Sequence, residues 1–255
     1  MSATRSSPDG RRGAPRQRGF SLIELLVTVA IALFLMDGLV TIVQNMRKTY
    51  SNQQALAQLQ DQQRFAMSVM TDVIQAGGYY PSPLANTEST ALPGGGPWAP
   101  GQALWGTTGG GPPGDTVGVR YMTAGGDGVI VCTGATNGGP VGSTHTYTNI
   151  FGVVVGAQGG QLVCQLDGGP LVPLVNGVTN LTIYFGVKRN FATSDYNVDT
   201  YLTASNMLAA DWSNISSVRI LLTFKNPLWP QPGQASPTIT FERVVEVMGR
   251  GGVHT

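Results

Sequence analysis

Glu24 has the most unusual chemical setting in this sequence, because it lies inside a run of apolar residues. The run covers residues 20–43 and contains one further acid, Asp37. A carboxylate inside a bilayer costs about 3 kcal/mol unless a partner compensates it, so an acid there is a functional hypothesis. Asp37 lies near the other end of the run, where it either reaches the membrane interface or faces a partner helix.

The residues before Glu24 form a signature. The string RGFSLIE at residues 18–24 follows a basic leader, and residues 1–19 carry five arginines against one aspartate. The string resembles the cleavage and methylation signature of type IV prepilins and type II secretion pseudopilins. This resemblance implies that a prepilin peptidase and methyltransferase cuts between Gly19 and Phe20 and methylates the Phe20 amine. Removal of 19 residues from 255 leaves a mature chain of 236. The alternative is an uncleaved anchor with a chance acid.

Cleavage would give Glu24 a partner. The new Phe20 amine carries a positive charge four residues before Glu24, about 6 Å along a helix. A helix N-terminus also favours a nearby carboxylate through its free N–H groups and its dipole. In a fibre of packed helices, Glu24 can pair with the Phe20 amine of a neighbouring subunit only when the two are in register. We therefore expect Glu24 to specify assembly rather than cleavage.

The apolar run itself predicts a membrane helix. Its 24 residues exceed the roughly 20 that cross a hydrocarbon core of about 30 Å. They also exceed the apolar part of an ordinary secretory signal, and no A-x-A-like site follows them. The arginine-rich leader predicts a cytoplasmic N-terminus. The chain is therefore expected to span the inner membrane once before assembly. The resemblance implies that it later enters a pilus fibre extending from the periplasm to the cell surface.

The helical pattern continues beyond the membrane segment. Residues 44–76 contain no Pro or Gly and are rich in strong helix formers, and two glycines follow as a C-terminal stop. The sequence predicts one helix over residues 20–76, amphipathic from residue 44, in which a bend would use Gly38. Its apolar face is predicted to carry Phe65, Val69 and Val73, with Ala66 and Met70 beside them.

A glycine-rich region follows the helix. Residues 77–115 predict an irregular connection, whose Trp98 and Trp105 either fix the loop on a sheet or bind a ligand. β-branched runs then predict strands at residues 116–122, 129–133, 150–155, 161–166, 178–187, 218–225 and 238–247. A short helix is expected at residues 207–212. The fold class is α+β, with one long N-terminal helix packed against an antiparallel β-sheet domain at residues 116–255. This is the pilin-like fold that the resemblance implies.

Two cysteines, Cys132 and Cys164, lie on predicted strands of the β-sheet domain at residues 116–255, which we call the outer domain. An even pair in an oxidising compartment favours a disulfide, and the alternative is two buried thiols.

A second pattern concerns metal binding. Asp195, Asn197 and Asp199 match the D-x-N-x-D start of a calcium loop, but the glycine and glutamate required later in the loop are missing. An exposed turn is the alternative to a weak calcium site.

Composition and motifs exclude several classes of function. Charged residues are 11% of the chain and the net charge is +1, which argues against direct nucleic-acid binding. The two histidines, His145 and His254, are far apart in the sequence. No zinc-protease, hydrolase or phosphate-loop motif is present. The sequence therefore indicates a protein that is not an enzyme and that needs no cofactor.

The C-terminal half narrows the resemblance. The strings VNGV at 175–178, YFG at 184–186, DW at 211–212 and VRILL at 218–222 resemble the minor pilin family PilW, as do RFA at 64–66 and AGGY at 76–79. The resemblance implies a minor pilin that joins other minor pilins and the major pilin. Such a complex starts pilus assembly in the inner membrane and remains at the tip, often below a large adhesin.

Two other functions stay open. One is a GspJ-like minor pseudopilin of a type II secretion system, which has the same N-terminal signature. The other is a membrane-anchored extracytoplasmic binding module that uses the prepilin export route.

Overall fold

A computed structural model describes residues 19–111, 113–156, 159–190, 192 and 197–248. The chain divides into two compact units, Met1–Ser51 and Asn52–Thr255. The long helix α1, Leu22–Gln75, begins in the first unit and continues into the second without interruption at Gly38. A single-turn helix α2, Glu88–Ala91, follows it.

The described part of the second unit also contains two antiparallel sheets. The first sheet has its five strands in chain order, β1 (Leu104–Thr107), β2 (Thr116–Ala124), β3 (Thr144–Gly156), β4 (Gly159–Leu166) and β5 (Leu171–Asn176). The second sheet has the order β7-β6-β8-β9, with β6 (Val178–Val187), β7 (Thr200–Leu202), β8 (Ile215–Lys225) and β9 (Thr238–Glu246). Short 3-10 helices lie at Ala204–Asn206 and Asp211–Ser213.

The C-terminal part of α1 supplies one side of the hydrophobic core. Its buried residues are Leu59, Ala66, Met67, Met70, Val73 and Ile74. They belong to one cluster with residues of both sheets, including Tyr121, Phe151, Phe185 and Ile220. The α+β fold class predicted from the sequence is confirmed.

The predicted apolar face of α1 is wrong at one position. Phe65 is 52% exposed, whereas Ala66, Met70 and Val73 are buried as expected and Val69 packs at the edge of the core. The buried stripe follows the spacing 59, 66, 70, 73, which is the a/d spacing of a helix face. Met67 and Ile74 extend it on the side away from Phe65, so the true face is centred one residue further along the helix.

A single sheet was expected, and the structure has two. The sheets approach closely where β4 meets β6. A side chain at Gly160 would collide with the backbone carbonyl of Val178, so glycine is needed there. Strands β1, β5 and β7 were not predicted from the sequence. Both β1 and α2 lie inside residues 77–115, which were predicted to be an irregular connection. Short strands of four, six and three residues carry too little periodicity to be recognised before their partners are known.

Two predicted elements are absent from the described structure. Residues 129–133 form a turn rather than a strand, and only an isolated bridge joins Ile130 to Thr136. In place of the predicted helix at residues 207–212 the chain has two 3-10 helices, Ala204–Asn206 just before it and Asp211–Ser213 overlapping its end. There the Asp211 carboxylate accepts the Leu208 N–H at 2.7 Å, and a side chain that bonds local backbone in this way competes with regular helix.

Candidate assembly site

The Gly19–Phe20 bond lies in exposed, non-helical chain. Helix α1 begins two residues later, where the Ser21 carbonyl accepts the Glu24 N–H at 3.0 Å and the Leu25 N–H at 3.2 Å. The first helical hydrogen bonds therefore start beyond the predicted cleavage point. Both Gly19 and Phe20 are exposed, so this bond is accessible to a peptidase. Arg18 and the rest of the leader lie outside the described residues.

Glu24 lies in the first turn of α1. It is exposed and forms no ion pair with any other described residue, so its charge is available to a second chain. Within the described chain, α1 is the one helix that is long and apolar enough to cross a membrane, and its most apolar segment contains no buried residue. The geometry thus combines a membrane-length helix with an exposed carboxylate next to the predicted new N-terminus.

Cys132 and Cys164 form a disulfide in the outer domain. Their Cα atoms are 6.2 Å apart, and both residues are buried. Cys164 lies on β4 as predicted, but Cys132 lies on the turn at residues 131–134 rather than on a strand. The bridge therefore fastens an irregular segment, residues 125–143, to the first sheet.

Two buried polar side chains hold the same segment. The side-chain amide oxygen Oδ1 of Asn149 accepts the Cys132 N–H at 2.9 Å, and the Tyr121 hydroxyl donates to the backbone carbonyl of Ile130 at 2.7 Å. Burial raises the pKa of Tyr121 above its ordinary value of 10, and the hydroxyl is a donor at physiological pH with or without this shift. The β-branched run at residues 129–133 thus bonds to side chains of β2 and β3 instead of forming its own strand.

The calcium-like pattern falls at a break in the described chain. Asp195 lies outside the described residues, and Asn197 is exposed. The Asp199 carboxylate accepts backbone N–H groups from Arg189, at 2.9 Å to one oxygen, and from Asn190, at 2.6 Å. Its oxygens are thus used to close the loop after β6. Among the described residues, no group of three or more metal-ligating side chains is found.

An ion pair next to this loop was missed by the sequence analysis. The Arg189 guanidinium donates from Nε to Asp211 at 3.1 Å, and its Nη2 also bonds Asp211 and the Asn206 carbonyl. The hydrogen bond from Arg189 is the main cause that lowers the pKa of Asp211. The two residues are 22 positions apart, and no periodic pattern links them, so the sequence carries no signal for this pair.

The Asp211 pair predicts a specific response to acid. Its folded pKa lies below the ordinary value of 3.8, so its stabilising effect is complete above about pH 4 and is lost as the pH falls through the folded pKa. We expect Asp211→Asn to lower the free energy of unfolding at pH 7 and to reduce its decline below pH 4. Denaturant titrations of both proteins at several pH values across this range measure the free energy of unfolding. If it declines equally with falling pH in both proteins, the prediction is contradicted.

Trp98 fixes the glycine-rich loop onto the first sheet, as the first of the two sequence interpretations expected. Its ring lies over Gly118 of β2, where a side chain would come within 3.0 Å of the indole. The Arg120 guanidinium stacks on the same ring at 5.1 Å and donates to the Pro93 carbonyl at 2.7 Å. Trp105 belongs to β1 and contacts Trp98, with ring centroids 6.1 Å apart.

Family models match two parts of this chain. The family model "Type IV Pilus-assembly protein W" (PilW) matches residues 158–244, and the prokaryotic N-terminal methylation motif matches residues 14–36. None of the curated proteins searched matches the sequence. A type IV-like pilin from Thermus thermophilus, TTHA1219, aligns at 13% identity and a TM-score of 0.40, over 75% of this chain and 96% of its own. These two matches confirm the resemblance to type IV prepilins at residues 18–24 and the resemblance to PilW in the C-terminal half.

Proposed function

We propose that this chain, with its prepilin N-terminus and its PilW-type C-terminal region, is a minor pilin that helps to start type IV pilus assembly. The observation that carries the proposal is Glu24, exposed in the first turn of a membrane-length helix that begins just after the Gly19–Phe20 bond. A chain of this design can be processed, held in the inner membrane with its N-terminus inside, and then packed through its helix with other pilins.

The role is structural and needs no catalytic group or bound cofactor. A prepilin peptidase would cleave after Gly19 and methylate Phe20, and other minor pilins and the major pilin would be its assembly partners. The first subunits of a fibre stay at its tip, so a chain that initiates assembly would be found there. A large adhesin could then sit above it.

A deletion strain tests the proposal. We expect loss of surface pili and of twitching motility with exoprotein secretion unchanged, and restoration of both pilus phenotypes by the wild-type chain. A Gly19→Val chain, which should keep its leader because the peptidase requires glycine before the cut, is expected not to restore them. Mass spectrometry of the purified chains checks the leader, which accounts for 19 of the 255 residues.

The same deletion strain distinguishes the proposed function from its nearest alternative. Lost secretion with intact pili would overturn the proposal in favour of a GspJ-like pseudopilin. Full function of uncleaved Gly19→Val would also overturn it, since a retained leader leaves no free Phe20 amine for Glu24 to pair with.

A further inference from the structure

The turn between β5 and β6 contains an Asn-Gly step. Only Gly177 lies between the two strands, because Asn176 ends β5 and Val178 begins β6. An asparagine followed by glycine is chemically reactive, since the next backbone nitrogen can attack the side-chain amide and glycine has no side chain to block the approach. The sequence contains one other such step, Asn137–Gly138, which provides an internal comparison.

Both nitrogens of the Asn176–Gly177 step are free to react. The Asn176 side chain is exposed, and its amide nitrogen donates to no described group. The Gly177 N–H likewise has no hydrogen-bond partner in the part of the chain that the structure describes. A side chain at Gly177 would meet no atom within 4 Å, so the space beside the attacking nitrogen is open to water. Neither nitrogen has to give up a hydrogen bond to the protein before the reaction.

Gln161 is placed to assist such an attack. Its side-chain amide nitrogen Nε2 donates to Oδ1 of Asn176 at 2.7 Å. When a nucleophile attacks the Asn176 amide carbon, negative charge develops on this oxygen, and a donor that is already in place stabilises that charge. Asn176 thus combines a free leaving group, a free neighbouring nitrogen and a donor to the developing oxyanion.

The Asn137 side chain, in contrast, is held at both ends. It is 8% exposed. Its nitrogen donates to the Thr123 carbonyl at 3.2 Å and to the Ser143 carbonyl at 3.4 Å, and its oxygen accepts the Gly139 N–H at 3.0 Å. Attack on this amide would disturb all of these hydrogen bonds in a site that water barely reaches. The fold therefore protects one Asn-Gly step and exposes the other.

We propose that Asn176 is a site of spontaneous deamidation. The Gly177 nitrogen loses its proton to water and attacks Cγ of Asn176. A C–N bond forms, the Cγ–Nδ2 bond breaks, and the amide nitrogen takes up a proton and leaves as ammonia. Water then opens the cyclic imide. Attack of water at Cγ gives aspartate, and attack at the main-chain carbonyl gives isoaspartate, whose backbone runs through the side chain. The net change converts amide and water to carboxylic acid and ammonia, without oxidation or reduction.

The product places a negative charge in a cavity of the second unit. Asn176, Gly177 and Lys225 line this cavity of about 260 Å³ together with Leu59 and other residues of α1. The Lys225 N–H donates to the Gly177 carbonyl at 2.8 Å, so the new carboxylate shares the cavity with a neighbouring cation. Isoaspartate also adds a methylene group to the backbone at the crossover between the two sheets. The modified chain therefore differs from the fresh chain in both charge and backbone geometry at this crossover.

Mass spectrometry of the folded full-length chain in detergent tests the proposal. The protein is incubated at neutral and at alkaline pH, and it is then digested in heavy-oxygen water, which labels any deamidation that occurs during digestion. We expect Asn176 to be converted at least about tenfold faster than Asn137, which corresponds to about 1.4 kcal/mol in activation free energy. The rate should rise with pH, because the Gly177 nitrogen must lose its proton. Equal rates at the two asparagines, or an Asn176 peptide that stays unmodified, would overturn the proposal.

A denatured sample and two variants test the structural explanation. In denaturant the two rates should become similar, and a slow Asn137 in the unfolded chain would overturn the argument that the fold protects it. Asn176→Gln keeps the amide but requires a larger ring, so it should stay unmodified. Gln161→Met removes the donor to Oδ1 and should slow conversion of Asn176 severalfold, whereas an unchanged rate would overturn the role of Gln161. The melting temperature of each variant checks that it is folded.

Discussion

Glu24→Ala is expected to be cleaved after Gly19 at the normal rate but to enter fibres at least about tenfold less than the wild-type chain. The exposed carboxylate has no partner within the described chain, and the new Phe20 amine of a neighbouring subunit is its predicted counter-charge. An uncompensated charge in the membrane costs about 3 kcal/mol, which corresponds to a factor of roughly one hundred in an equilibrium. Sheared fibres and cell fractions, compared by immunoblotting, give the ratio.

Two variants show whether the charge itself is responsible. Glu24→Gln keeps the size and hydrogen-bonding capacity of the side chain but removes the charge, so we expect it to behave like Glu24→Ala. Asp37→Ala removes the other acid of the apolar run and should enter fibres nearly normally, because Asp37 lies far from the new N-terminus. Normal incorporation of Glu24→Ala would contradict the pairing, and a defect in cleavage would place Glu24 in peptidase recognition instead.

The parts of the fold that sequence predicts well are those set by local pattern. The N-terminal signature, the long helix and strand β6 depend on contiguous residues: β6 was expected at residues 178–187 and the structure has it at Val178–Val187. Buried and half-buried positions alternate from Leu181 to Phe185, as the strand period of two requires. The Cys132–Cys164 disulfide was expected from a different signal, an even pair of cysteines in an oxidising compartment.

The parts that sequence missed depend on pairing between distant segments. Residues 129–133 have the composition of a strand, but the backbone there bonds to the side chains of Asn149 and Tyr121. Phe65 has the most apolar side chain on its turn, yet the core lies one residue to the side, because the packing of both sheets decides which face of α1 is buried. The Arg189–Asp211 pair joins the irregular segment after β6 to the short 3-10 helix Asp211–Ser213, and no periodic pattern in the sequence links the two. Local propensity does not show which distant side chain or backbone group will bond to a given residue.

Reduction of the Cys132–Cys164 disulfide is expected to lower the free energy of unfolding of the outer domain by about 3 to 4 kcal/mol. The bridge joins residues 32 apart in the sequence, and closing a loop of this length restricts the unfolded chain by about that amount. For a domain of this size the melting temperature should fall by roughly 10 °C. Thermal denaturation of the full-length chain in detergent, with and without reductant, measures the shift.

The Cys132→Ala, Cys164→Ala double variant is the matched control, because it should have a low melting temperature with and without reductant.

Amide hydrogen exchange provides a second readout, because it shows which part of the domain reduction destabilises. Residues 125–143 contain no strand and are held by the bridge together with the Asn149 and Tyr121 hydrogen bonds, so reduction should speed amide exchange there most. Strands β6 and β8 pair over nine positions independently of the bridge, and they should exchange as before. A thiol assay on protein purified without reductant should find no free cysteine; two free thiols per chain, or a melting temperature insensitive to reductant, would contradict the predicted role of the bridge.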